Sequence, residues 1–370
     1  MPIHCNLLWQ NREQAFQAPK GDIRLTFCRS CGYIFNIDFD PDKMKYDQMY
    51  ENSLHCSTRF KEYAKTLALS LIEQFGLKNK KIIEIGCGKG EFLKLLCDLG
   101  QNEGIGFDPS YIHGRITDTP QSNITFIQDF YSERYSDYKA DIIFCLHVLE
   151  HIQNPYKFLN SIRRSVSDRI DTVIFFEVPN VLFTLKDLSI WDLIYEHCGY
   201  FCINSLAYLF NVSGFNVINI EEAFEGQFLN IYAMPLGDES QFNHHDLDIF
   251  EKMEKYVTIF ASEYDKKIKH WQRELNRIEH NNQKIVVWGS GSKGVSFLNT
   301  LKIEEQIKYA VDINPHKQGK YIAGTGQKIV NPLFLRDYRP DLIIIMNPIY
   351  EKEIQQTVNK MNLTPEILVV

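Results

Sequence analysis

No run of about 18 apolar residues occurs anywhere in the 370-residue chain, so no segment reads as a membrane-spanning helix. The opening residues, MPIHCNLLWQ, lack a basic stretch followed by a long apolar one, and a cytoplasmic protein is expected. An excess of positive charge is missing too. Lys and Arg number 40 against 47 Asp and Glu, a net charge of -7, which argues against nucleic acids as partners. The nine cysteines are irregularly spaced in a chain without an export signal, so free thiols or a metal are expected in place of a disulfide framework. What the chain does have is apolar material, 44%, enough to fill the cores of two or three globular units.

Residues 1–60 show no sustained periodicity and hold Cys5, Cys28, Cys31 and Cys56, which suggests a small loop-rich appendage. From Glu62 to Phe75 apolar residues recur at helical spacing. KIIEIG, EGIGFD, DIIFCL and DTVIFFEV then read as strands with helical stretches between most of them, an α/β pattern that implies a parallel sheet flanked by helices over residues 61–240. NVINIEEAF and FLNIYAMPL are separated only by EGQ, too short for a helical crossover, so they should pair antiparallel at the sheet's end. Between Asp246 and Glu279 apolar residues step by three or four, which predicts one helix of roughly 50 Å within residues 241–282, a connector or dimer surface. Over 283–370 the β-α-β pattern resumes in KIVVWGSGSKGVSFLNTL, IKYAVDIN and DLIIIMNP, a second and smaller Rossmann-like domain.

Two glycine turns follow strands. IIEIGCGKGEFLKLL places Gly86, Gly88 and Gly90 in a G-x-G-x-G spacing, while Gly289, Gly291 and Gly294 spell G-x-G-x-x-G. Asp108 and Asp312 each end the next strand. After the first turn, a carboxylate at Asp108 can accept hydrogen bonds from two ribose hydroxyls, and Glu84 adds negative charge that would repel a pyrophosphate and attract a cation. EIGCGKGEF, GFDPS, QDF and LHVLEHIQNPYKFL resemble, in order, the motifs of class I S-adenosylmethionine-dependent methyltransferases over roughly residues 60–236. The resemblance implies Asp129 and Phe130 near the adenine and His147 near the cofactor's methionine end. His151, in EHIQNP, is expected to orient backbone.

FCRSCGY carries a C-x-x-C-G turn suited to two thiolates on one metal, Cys28 and Cys31. Upstream, HCNLL offers Cys5, but Leu8 stands where a second C-x-x-C would put its cysteine; His4 is the candidate fourth ligand, with His55 and Cys56 as further ones. Structural zinc is the expectation, with a metal-free thiol pair as the alternative.

The cysteine appendage, methyltransferase core and C-terminal Rossmann-like domain with VDINPHKQGKYIAGT together resemble the sugar C-methyltransferases, which act on nucleotide-linked keto-sugars. The sharpest match is WDLIYEHCGYF, residues 191–201. In that family a Tyr-His-Glu-His run supplies the base that deprotonates the carbon beside the ketone; here the run reads Ile194-Tyr195-Glu196-His197. The resemblance implies His197 as base, Glu196 orienting it, and Tyr50, Tyr195 or Tyr200 at the enolate oxygen. Lys293, with Gly289 and Gly291, suits an anionic phosphate of the substrate. An O- or N-methyltransferase of another small metabolite, an NAD-dependent oxidoreductase using GSGSKG and a non-catalytic nucleotide-binding scaffold remain as alternatives. A monomer or homodimer is expected.

Overall fold

The structure, a computed structural model, describes residues 1–115, 123–237 and 247–370. The N-terminal segment holds a short helix (Arg12–Phe16) and strands β1 (Leu25–Phe27) and β2 (Ile34–Asn36). After the helix Thr58–Phe75 come β3 (Lys81–Ile85), β4 (Glu103–Phe107), β5 (Asn123–Ile127), β6 (Ile142–Leu146), β7 (Val173–Pro179), β8 (Gly199–Tyr200), β9 (Phe215–Ala223) and β10 (Phe228–Pro235). The helix Leu247–His280 leads to β11 (Ile285–Trp288), β12 (Tyr309–Val311), β13 (Lys328–Val330), β14 (Leu342–Ile345) and β15 (Glu366–Val369).

The larger sheet has seven strands in the order β5-β4-β3-β6-β7-β10-β9. The first five are parallel, and β10 runs antiparallel to both β7 and β9. The antiparallel pair expected from the short EGQ link is therefore present. Alternation along the central strands feeds two cores: Ile83, Ile143 and Ile174 pack on one face, Ile82, Ile142 and Phe144 on the other. Such two-sided burial explains why these strands read as continuous apolar runs. The second sheet is fully parallel, in the order β13-β12-β11-β14-β15. In each sheet the chain order reverses beside the strand that precedes a glycine turn, between β3 and β6 and between β11 and β14. At such a switch point the strand ends splay apart and leave a crevice for ligand.

Two expectations change. The appendage is not self-contained, because β8, from GYF in the methyltransferase-like region, pairs with β2 and completes the sheet β1-β2-β8. Three-residue strands bury too little alone, so the segment docks onto later chain. The long helix is also more than a spacer or dimer face. Its Met253, Phe260, Trp271, Leu275 and Ile278 are buried in one cluster with Trp191, Phe297 and Ile344, so its apolar stripe is covered within the chain. Asp246 and the side chains of Leu247 and Phe250 lie outside the described residues. No helix among the described residues is long and apolar enough to cross a membrane.

Candidate active site

The loop after β3 holds Gly86, Gly88 and Gly90 at φ of 72°, 54° and 86°, a backbone that disfavours any side chain. A Cβ on Gly86 would collide with the Val148 side chain, whereas one on Gly88 would meet only Asn52 Oδ1, at 4.0 Å. The loop is packed tightly behind and open in front. Asp108, at the end of β4, accepts from the Gly88 amide at 2.8 Å and the Ser110 amide at 2.7 Å, so it shapes the loop and presents its carboxylate beside it. The loop after β5 lies next to it, the Asp108 amide donating to Ile127 O. On that loop Asp129 is held by Arg134 and by the Tyr135 hydroxyl at 2.5 Å, and the Phe130 ring is exposed, free to stack. Glu84 is buried, and its Oε2 has no hydrogen-bond partner. Burial, then Glu91, pushes its pKa up to about 8. Burial thus opposes the negative charge expected there, and a cation arriving beside it would favour that charge.

Asn52 and Ser53 also line a cleft that runs to the second glycine loop, with His147, His151 and His197 on one wall and Gly289, Lys293 and Lys317 on the other. His197 lies on the coil before β8. Burial, then the neighbouring His151, pulls its pKa down to about 3, so the imidazole is neutral. The His151 and His197 rings stand edge to face, 4.9 Å between centroids. His151 Nδ1 lies 3.1 Å from the Tyr46 hydroxyl and 3.0 Å from the Glu196 carbonyl. Tyr46 carried no motif signal; it stands four residues before Tyr50 in KYDQMY.

Family comparison matches residues 58–220 to a methyltransferase domain and residues 236–366 to a C-methyltransferase C-terminal domain. The chain is an S-adenosylmethionine-dependent methyltransferase. It is 22% identical to the C-methyltransferase NovU of Streptomyces niveus over 309 residues, 79% of this chain and 72% of that one. A tRNA U34 carboxymethyltransferase of Campylobacter hominis is 30% identical over 112 residues, 29% of this chain and 39% of the relative, so the match spans well under half of that enzyme. A solved SAM dependent methyltransferase from Aquifex aeolicus aligns over 49% of this chain and 100% of its own, at 15% identity and a TM-score of 0.37.

The methyltransferase rearranges several expected site residues. Glu196 does not face the imidazole of His197. Its carboxylate accepts from the Cys5 amide and, at 2.5 Å, from the Tyr50 hydroxyl, the chain turning at Tyr195 and Glu196 before it reaches β8. Tyr195 is fully buried away from the cleft, its ring against Gly21 and its hydroxyl accepting from the Asp40 amide at 2.9 Å, so it is structural. Tyr200 does line the cleft, yet its hydroxyl is tied to Ile194 N and O, both at 3.3 Å. Lys293 is ion-paired with Asp192 and hydrogen-bonded to Ser189, while the buried Lys317 brings Nζ to 3.9 Å from where a Cβ of Gly291 would stand. Its partner there is Asn6 Oδ1 at 3.1 Å.

The four expected zinc ligands are not assembled. Cys28 and Cys31 interact with each other, but the buried Cys5 sits beside Glu196, and His4 packs against Tyr46 and Tyr50 with Nε2 accepting from the Lys45 amide at 3.2 Å. Among the described residues no group of three metal-ligand side chains includes a cysteine. A tetrahedral site needs four convergent donors, and two thiols do not fit one.

His147 is clamped between two carboxylates, Nε2 2.9 Å from Glu177 Oε1 and Nδ1 3.7 Å from Glu150 Oε1. Burial opposes its charge, but Glu150 and Glu177 outweigh it and raise the pKa to about 10. A folded-state pKa above the ordinary 6.5 stabilises fully below 6.5 and is lost as pH rises through about 10. The Tm advantage of the wild type over His147→Gln should therefore be largest near pH 6.5 and shrink steadily towards pH 10. Melts at matched ionic strength check this; an advantage that grows with pH rejects the clamp.

Proposed function

We propose that this methyltransferase alkylates a carbon atom of a nucleotide-linked keto-sugar, with His197 as the base that forms the enolate. The observation that carries the reading is the neutral imidazole of His197 in one cleft with the second glycine loop, which suits a diphosphate, a cleft also lined by Asn52, whose Oδ1 stands 4.0 Å from where a Cβ of Gly88 in the first glycine loop would lie. The match to a C-methyltransferase C-terminal domain and the likeness to NovU support it.

The residues fit S-adenosylmethionine: Gly88 leaves room for close approach, Asp108 offers the ribose an acidic partner, and the orphaned Glu84 Oε2 is an acceptor with no donor of its own. When bound, that cofactor supplies an electrophilic methyl group, and carbon becomes a competent acceptor only once it has lost a proton. His197 takes that proton from the carbon beside the ketone onto a free ring nitrogen. Tyr50 and Glu196 share a proton-bearing contact 2.5 Å long that closes this side of the cleft. At the far end the amides after β11 and the ammonium of Lys317 bind the diphosphate, with Lys293 neutralised by Asp192.

Two measurements test this. A keto-sugar linked to a nucleoside diphosphate, incubated in heavy water with S-adenosylhomocysteine, should exchange the hydrogen beside its ketone. Lys317→Ala should raise the KM for that substrate roughly 10- to 100-fold, the cost of about 1.5–3 kcal/mol for losing a charged hydrogen bond, with donor binding unchanged. Exchange that never occurs, or a KM that Lys317→Ala leaves alone, rejects the corresponding half of the reading.

A further inference from the structure

Glu150 stands in the turn after β6, at the switch point of the larger sheet, and is 2% exposed. One of its oxygens faces His147 at 3.7 Å, and Oε2 is buried without any hydrogen-bond partner. One carboxylate oxygen of Glu150 and one ring nitrogen each of His151 and His197 lie within 4.8 Å of one another. The carboxylate that adjoins His197 in sequence, Glu196, is spent on Cys5 and Tyr50. We infer that Glu150 is the positioning residue for the histidine pair: it holds the His197 imidazole ready and stabilises the imidazolium formed when that ring takes a proton. The inference rests on the proposed reading of His197 as base.

The charge balance explains why the site needs such a group. Glu150, buried and ionised, is the carboxylate lying against the histidine pair, with the protonated His147 on its other side. A proton landing on His197 then has the Glu150 carboxylate beside it, so the new charge is paired and not left alone in a low-dielectric place. The groups facing His197 are Glu150 and Asp192, which favour its proton, and His151 and His147, which oppose it, with the Tyr200 ring packed alongside. Those around Glu150 are His147, His151, His197, the thiol of Cys145 and the phenol of Tyr46, with Cys198 Sγ donating to its backbone carbonyl at 3.5 Å. Burial raises the carboxyl pKa, but His147 and then His151 lower it further, so Glu150 stays ionised.

The test compares wild type, Glu150→Gln and Glu150→Asp in methyl transfer and in hydrogen exchange of the acceptor in heavy water. Glu150→Gln keeps the size and loses the charge; it should lower kcat and exchange together by roughly 10²-fold, leave KM and S-adenosylhomocysteine affinity within about two-fold, and move the acid limb of the kcat profile to lower pH. Glu150→Asp keeps the charge and should hold the acid limb in place while kcat falls less. Should Glu150→Gln not fold, the aspartate variant carries the test, and an unchanged kcat there overturns the inference. A glutamine variant that exchanges at the wild-type rate with an unmoved pH profile, losing only Tm, makes Glu150 a structural partner of His147 and overturns it as well. If wild type exchanges no hydrogen at all, the enolate reading itself has failed, and the unmoved pH profile of methyl transfer decides Glu150 separately.

Discussion

Replacing His197 with alanine should slow methyl transfer by roughly 10²- to 10⁴-fold, the contribution of a well-placed general base, while S-adenosylhomocysteine binds as before. The split is expected because His197 lies on the coil before β8, whereas the first glycine loop follows β3, with Asp108 beside it at the end of β4. Its neutral state at working pH is secured by burial and by His151. A low proton affinity makes it a weak base in isolation, so its effect depends on the negative charge held beside it. Calorimetry with S-adenosylhomocysteine and a methyl-transfer assay on the same preparation make the measurement. Methylation persisting in the variant would mean that the acceptor is already nucleophilic, and an oxygen or nitrogen acceptor would then replace carbon.

Asp108→Ala should weaken S-adenosylhomocysteine binding by about 1.5–3 kcal/mol, the usual loss for hydrogen bonds to a charged group. Part of that loss is ribose contact and part is the loop itself, since the amides of Gly88 and Ser110 would lose their acceptor. Asp108→Asn separates the two. It retains one acceptor oxygen for the loop and should recover part of the affinity. An affinity unchanged in the alanine variant removes Asp108, and with it the donor site assigned to the loop after β3.

Much of this was written locally in the chain. A glycine turn is legible because positive φ and close approach are demands on single residues, and Gly86, Gly88 and Asp108 stand where the motif places them. The same holds for the antiparallel pair β9–β10, whose four-residue link is too short for a helical crossover. Side-chain direction was not legible. In the Tyr195-Glu196-His197 run three adjacent residues were candidates for one centre, but successive side chains diverge, and only His197 is left facing the other histidine. The family departure at Ile194 gave no hint of this, because a motif records identity and not orientation.

Periodicity indicated an α/β protein with two sheets, the first ending in an antiparallel pair, and a long amphipathic helix between the two units; the glycine-turn motif with Asp108 pointed to an adenosyl cofactor. Tertiary structure decided what no local pattern carries: that β8 completes the N-terminal sheet, that Lys293 pairs with Asp192 while Lys317 reaches the second glycine loop, that the Glu196 carboxylate is taken by Cys5 and Tyr50, and that among the described residues no group of three metal-ligand side chains includes a cysteine. Backbone conformation answers to a residue and its nearest neighbours. Charge pairing and burial answer to groups that meet only after chain segments far apart in sequence have packed together, so their partners are chosen by the fold.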